Sequence, residues 1–277
     1  MNQFMEKLQN TDRRILFALI FLAMAYPMVK PFTLPMSITQ EVKSLYDFIE
    51  KLGPNDVVLM APDYSPAYAP TVGGACEAIY VHLMRRGAKV VFASFSPEGP
   101  MMAENVIASG TPAGKKYGVD YVNMGYRAGG EGAVAAALQD FPGVFPKDFQ
   151  GTAIKDLPAV QNLKSAKDIS LGVLFSTGGY AGGGWVRQLV QPYGKPFAAV
   201  VTGMMGPAHV PYYQAKQLVG LVVDMKGGAE YETLVKRPSG SLAGMGAQTL
   251  AQMLIVLYMV VANVTYLTLK KERTRTR

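Results

Sequence analysis

A chain of 277 residues is long enough for one large core or two small ones, and with 49% hydrophobic but only 17% charged residues it is poor in charge for a wholly water-soluble domain. The net charge of +7 is concentrated near the ends, most of it in the terminal KKERTRTR, so no broad basic face is left for nucleic acid. The single cysteine, Cys76, excludes an internal disulfide, and without HExxH, paired-cysteine or EF-hand spacing neither a metal nor a cofactor is expected.

Residues 1–14 read as a short cytoplasmic segment. The run ILFALIFLAMAYPMV (15–29) then follows Arg13 and Arg14 without a charge. Fifteen helical residues reach only about 22 Å, against a hydrocarbon core of roughly 30 Å. A snorkelling Lys30 and the apolar FTLPM beyond it extend the run, although Pro27, Pro31 and Pro35 make the extension irregular. A first transmembrane helix over 15–37 is therefore expected. The rival reading is a secretory signal, with the same run as its apolar core and Ala23-Met24-Ala25 as its cleavage site.

The segment 38–52 places Val42, Leu45, Phe48, Ile49 and Leu52 on one helix face, and Gly53-Pro54 ends it. VVLMAP, ACEAIYVHLMRRG and AKVVFASF follow as strand, helix and strand, a βαβ unit. MMAENVIASG suggests a helix, VDYVNMGYR a strand, and GGEGAVAAALQDF a helix; residues 143–163 read as irregular or mixed. DISLGVLFST and KPFAAVVTG are further strands, joined through a turn and short helix at GGGWVRQLVQPYG. YYQAKQLVGLVVDMKGGAEYETLV reads as a helical return. Four or five apolar strands alternating with helices predict one mostly parallel, doubly wound α/β domain, Rossmann-like or flavodoxin-like, over residues 38–235.

Residues 236–269 read as a juxtamembrane segment and a second transmembrane helix, with no charge from Leu242 to Leu269. Gly240 and Gly244, and Ala243, Ala247 and Ala251, recur at four-residue spacing, which gives a small-residue face for another helix. Residues 270–277 form a basic tail. Positive charge outweighs on the terminal side of both runs, so both termini are expected in the cytoplasm at the inner cell membrane, with the α/β domain outside, in a periplasm or its equivalent.

Ligands of open α/β sheets sit beyond the carboxyl ends of the strands. Four loops qualify: 63–74, 94–100, 176–184 and 202–211. In the first, Asp63, Thr71, Gly73 and Gly74 approach a helix start whose amides could hold an anion. In the third, Ser176, Thr177, Gly178 and Gly179 offer hydroxyls and amides, and Arg187 offers a counter-charge. Neither loop carries GxGxxG or a Walker pattern. A Ser176–His209–Asp63 constellation is the candidate for nucleophilic chemistry, although GxSxG is absent.

With no catalytic motif, the expectation is a membrane-anchored, non-enzymatic subunit of a larger assembly. Its partners would be the lipid bilayer and other membrane subunits or copies of itself. The alternatives are an ectodomain that binds a small anionic or carbohydrate-like ligand, and a serine- or carboxylate-dependent hydrolase.

Overall fold

The computed structural model describes residues 12–30, 32, 36–178 and 181–275. Six strands, β1 (Val57–Asp63), β2 (Lys89–Ser94), β3 (Tyr121–Tyr126), β4 (Leu171–Ser176), β5 (Phe197–Val201) and β6 (Gly220–Val223), form one sheet in the order β3-β2-β1-β4-β5-β6. Every pairing is parallel. This is the Rossmann order and not the flavodoxin one, and it reverses direction between β1 and β4. The central strands are runs of Val, Leu, Met, Ala and Phe, as strands covered on both faces must be.

Helices cover both faces. One is packed by α2 (Gln40–Ile49), α3 (Gly74–Arg86), α4 (Gly99–Gly110) and a later helix, α7 (Asp224–Val235), around Leu45, Ile79, Tyr80, Phe92 and Tyr231. The other is packed by α5 (Gly130–Gln139), the helical turns of 181–193 and α6 (Gly206–Gln214), around Leu138, Phe141, Trp185, Leu189 and Phe197. Trp185 is fully buried, stacked on Phe197 with centroids 5.7 Å apart, so it is a core residue.

β6 corrects the sequence reading, which ran 212–235 as one helical return. Gly220–Val223 instead pairs with β5, and Gly220 lets the strand lie directly against Leu45, where any Cβ would collide. A four-residue apolar run carries no periodicity that separates strand from helix. After it α7 runs unbroken through Gly227-Gly228, and Lys226 pairs with Glu230 across one turn at 2.6 Å.

The chain divides into two compact units, Pro35–Leu242 and a terminal unit of Met1–Leu34 with Ala243–Arg277. In the terminal unit α1 (Arg13–Val29) is capped by the Asp12 side chain, which accepts from Arg14 N. Its 17 residues correspond to about 25 Å, less than a hydrocarbon core. The transmembrane helix expected over 15–37 is thus present only as this shorter helix ending at Val29; residues 31 and 33–35 lie outside the described residues. α8 (Gly240–Arg275) contains Gly240–Thr268, 29 residues whose most apolar 18-residue stretch has a mean hydropathy of 1.9, the one helix among the described residues long and apolar enough to cross a membrane. Gly246 of α8 meets Pro27 and Phe32, where an added Cβ would lie 3.0 Å from Pro27 Cβ. Of the expected small-residue face, Ala243 and Ala247 are buried, and Gly240 is exposed. Asn263, Thr265 and Thr268 each satisfy a side-chain donor on the carbonyl four residues back, so their polarity is absorbed within α8.

Candidate functional site

The reversal of strand order opens a crevice between the carboxyl ends of β1 and β4. Asp63 ends β1 directly beside Ser176, which ends β4. The two candidate loops, far apart in sequence, are therefore neighbours at the switch point. Asp63 Oδ1 accepts from the amides of Phe95 (2.8 Å) and Ser96 (3.1 Å), tying the end of β1 to the loop after β2. Ser176 Oγ donates to the Gly178 carbonyl at 3.0 Å and closes its own turn, with Thr177 half-buried within it. Gly179 lies outside the described residues.

Both loops continue into π-helical turns, Ala69–Gly73 before α3 and Val186–Val190 after the short helix Ala181–Trp185. Such turns are rare and concentrate at functional sites. The first overturns the expectation of a free helix start at Gly73-Gly74. Gly73 is helical (φ −66°, ψ −39°), the chain is helical from Pro66 to Arg86, and amides inside a helix are spent on its own carbonyls. Thr71 donates to the Tyr68 carbonyl. Gly74 has another reason to lack a side chain: a Cβ there would strike Ser241 Oγ and lie 2.6 Å from Glu232 Oε1.

Arg187 is exposed and already paired. Its guanidinium grips Glu131 in a two-pronged contact of 3.0 and 2.7 Å, and Gln188 adds a third bond at 2.9 Å. The Arg187 hydrogen bond holds the Glu131 carboxyl well down, at about 2. His209 is buried on α6 with Nδ1 2.8 Å from the Met205 carbonyl and its ring edge-on to Tyr212. The described bonds of Asp63, Ser176 and His209 thus lead to different neighbours. In the next loop Thr202 Oγ1 is buried without a hydrogen-bond partner among the described residues. Such a group is costly unless something satisfies it.

A cavity of about 400 Å³ opens at the same edge of the sheet, beyond β5 and β6, lined by Thr39, Gly203, Val210, Val223, Asp224 and Lys226 among others. Asp224 adopts a left-handed φ of 59°, a conformation that strains a non-glycine residue, and binds the amide of Met225. Of these residues, the sequence pointed to those of the 202–211 loop; nothing local connected Lys226 and Glu230 with Thr39, 191 residues from Glu230.

Two fully buried carboxylates on α7 organise the ends of the domain. Glu230 accepts from the amide and hydroxyl of Thr39 (2.8 and 2.6 Å) and from Lys226, fixing the chain where it enters α2. Glu232 accepts from the amides of Ser239 (2.9 Å), Ser241 (2.8 Å) and Leu242 (2.9 Å), fixing the chain where it leaves. Those amides begin α8, so the carboxylate caps that helix and meets the positive end of its dipole. Arg85 holds the Val235 carbonyl, and Arg237 bridges Glu77 and the Ser109 carbonyl. Each carboxylate is thus committed to donors at one boundary of the domain.

His82, on α3, joins a third polar group. The only neutral tautomer that satisfies the contacts has Tyr231 Oη donating to Nδ1 (2.8 Å) and Nε2 donating to Glu50 (2.7 Å), with Tyr46 stacked on the ring. Burial pushes the His82 imidazole down from its ordinary value, against the opposing pull of the Glu50 hydrogen bond. Among the described residues no group of three or more His, Cys, Asp or Glu could hold a metal ion.

Searches with the sequence find no matching family model and no matching curated protein.

Proposed function

We propose that this chain is a membrane-anchored, non-enzymatic subunit of a larger membrane assembly, with the α/β domain as its structural or interaction part and α8 as its anchor. The observation that carries the reading is the grip of Glu232 on the first amides of α8. A domain that needed only tethering could hang on a flexible linker, whereas here the first turn of the apolar helix is built into the domain. Such a start leaves no loose linker between the last residues of the domain and the helix that follows them, which is useful when a partner must be met by the domain. The termini lie on the cytoplasmic side in this reading and the domain on the other, following the lysines and arginines, and this requires the segment around α1 to cross as well as α8.

The test is the mass and subunit composition of the particle after gentle extraction from its native membrane. A stoichiometric complex, with other polypeptides or with copies of this chain, is expected; a monomer would overturn the assembly reading.

A second reading is favoured by the cavity of about 400 Å³ beyond β5 and β6 and by the unpartnered Thr202 hydroxyl in the adjoining loop. A volume of that size suits a small ligand, and binding of a small anionic or carbohydrate-like molecule would appear as a shift in the unfolding midpoint of the purified chain.

A further inference from the structure

Both boundaries of the α/β domain point to one edge of the sheet. Thr39 lines the cavity beside Gly203 and Asp224, so the chain enters at the carboxyl ends of β5 and β6. The exit climbs the same way. Val235 is held by Arg85, Arg237 by Glu77, and Ser241 and Gly240 lie against Gly74, so the departing chain ascends α3 from its last turn to its first. The first turn of α3 follows β1 and stands on the carboxyl side of the sheet. The residues that follow in sequence are those of the apolar α8.

The same edge carries exposed apolar side chains. Met101 stands in the first turn of α4 after β2, Tyr68 in the turn after β1, Met204 in the turn after β5, and Ile38 beside the point where the chain enters. Met204 is 79% exposed and Met101 59%. Ahead of β3, on the opposite edge, Val119 is exposed, and Phe149 is exposed beside Asn123 and Gly125 of β3. Water disfavours such a row, and long or aromatic side chains of this kind seat well at a membrane interface. The charges near the edge (Asp63, Glu98, Glu131 and Asp224 against Arg127, Arg187 and Lys226) have no basic excess, so the surface does not select anionic headgroups.

We infer that the carboxyl edge of the sheet is a docking surface for the bilayer itself, with Tyr68, Met101 and Met204 seated in the interfacial zone of a zwitterionic membrane. The inference rests on the anchored reading above, because the occupant is identified by where the chain enters and leaves. The switch-point crevice between β1 and β4 opens onto that interface, and whatever occupies it arrives along the membrane surface.

The test uses the full chain in phosphatidylcholine vesicles. Tyr68→Cys, Met101→Cys, Met204→Cys and Val119→Cys are each labelled with an environment-sensitive fluorophore; Cys76 is buried and does not compete for label. The replaced side chains are exposed or nearly so, and circular dichroism checks that each variant folds. Quenching by spin-labelled lipid should be several-fold stronger at positions 68, 101 and 204 than at 119, and quenching by aqueous iodide correspondingly weaker. If the vesicles float with the protein but lipid quenching at the three positions is no stronger than at 119, docking is overturned and anchoring survives. Shielding of the three from both quenchers, the sign of a protein cover, overturns it as well. A chain that does not float with vesicles overturns the anchored reading, and the inference falls with it.

Discussion

Phe92 and Phe21 are the same side chain in opposite situations. Phe92 lies on β2 with none of its surface exposed, tilted against Tyr80 at 5.4 Å, whereas Phe21 projects from α1 with 71% exposed. The contrast holds for the two units at large. The α/β unit encloses its Val, Leu and Phe between sheet and helices, while α1 and α8 leave Phe17, Leu22, Met253, Leu257 and Leu267 uncovered. Both units are rich in the same residues, so richness decides nothing. What differs is whether the apolar residues form stripes that another element can cover. Burial of apolar surface contributes on the order of 25 cal/mol per Å², and the terminal helices realise that gain only against lipid or another protein.

The comparison breaks most visibly at those two phenylalanines. Phe92→Ala should cost about 4 kcal/mol in the unfolding of the α/β domain by denaturant, through lost contacts and the cavity left behind. Phe21→Ala should change it by less than about 0.5 kcal/mol. A large effect at Phe21 would mean that α1 is part of the soluble core.

The C-terminal boundary of the α/β unit gives the next effect. Glu232→Ala strands the buried amides of Ser241 and Leu242 and the half-buried amide of Ser239 and should cost about 3 kcal/mol. The loss should be accompanied by faster hydrogen exchange at those amides, with the interior of α8 unchanged. Exchange that stays slow would show that the capping carboxylate is dispensable.

Smallest is a dependence on pH, confined to the α/β unit. Because burial holds the folded His82 below its ordinary 6.5, the unfolded chain takes up the proton more readily. Stability from this group is complete above that value and is lost as pH falls below it. The His82 hydrogen bond also holds Glu50 below its ordinary 4.5, and that contribution is lost as pH falls through the lowered value. Unfolding midpoints measured between about pH 7 and about pH 5 should therefore drop, and the drop should shrink in His82→Gln. A profile unchanged by the substitution would remove His82 as its source.

How far the sequence foretold this can be read strand by strand. β1, β2, β4 and β5 were legible because each is a run of apolar residues closed by a turn. β6 was not, because GLVV is too short to show a period and owes its place to Leu45 across the face and β5 beside it. The neighbourhood of Asp63 and Ser176 was legible from the rule that ligands gather at carboxyl ends, although their bonds were not. Gly74 was noticed as part of a helix start with free amides, but its reason is space: it makes room for Ser241 and Glu232. Glu230 and Glu232 were visible as acids near the anchor. What they hold, Thr39 on one side and the amides of α8 on the other, depends on contacts the chain makes only after folding.

The two carboxylates of α7 also decide how the domain meets force. Since Thr39 and Ser241 are fastened to positions two residues apart on one helix, a pull applied between the flanks of the domain is met first at that helix, before the central strands feel it. Opening would start by shearing Thr39 from Glu230 or the α8 amides from Glu232, each a set of parallel bonds that must fail together. A domain sewn shut at its own hem can be pulled at its flanks without its sheet being unzipped.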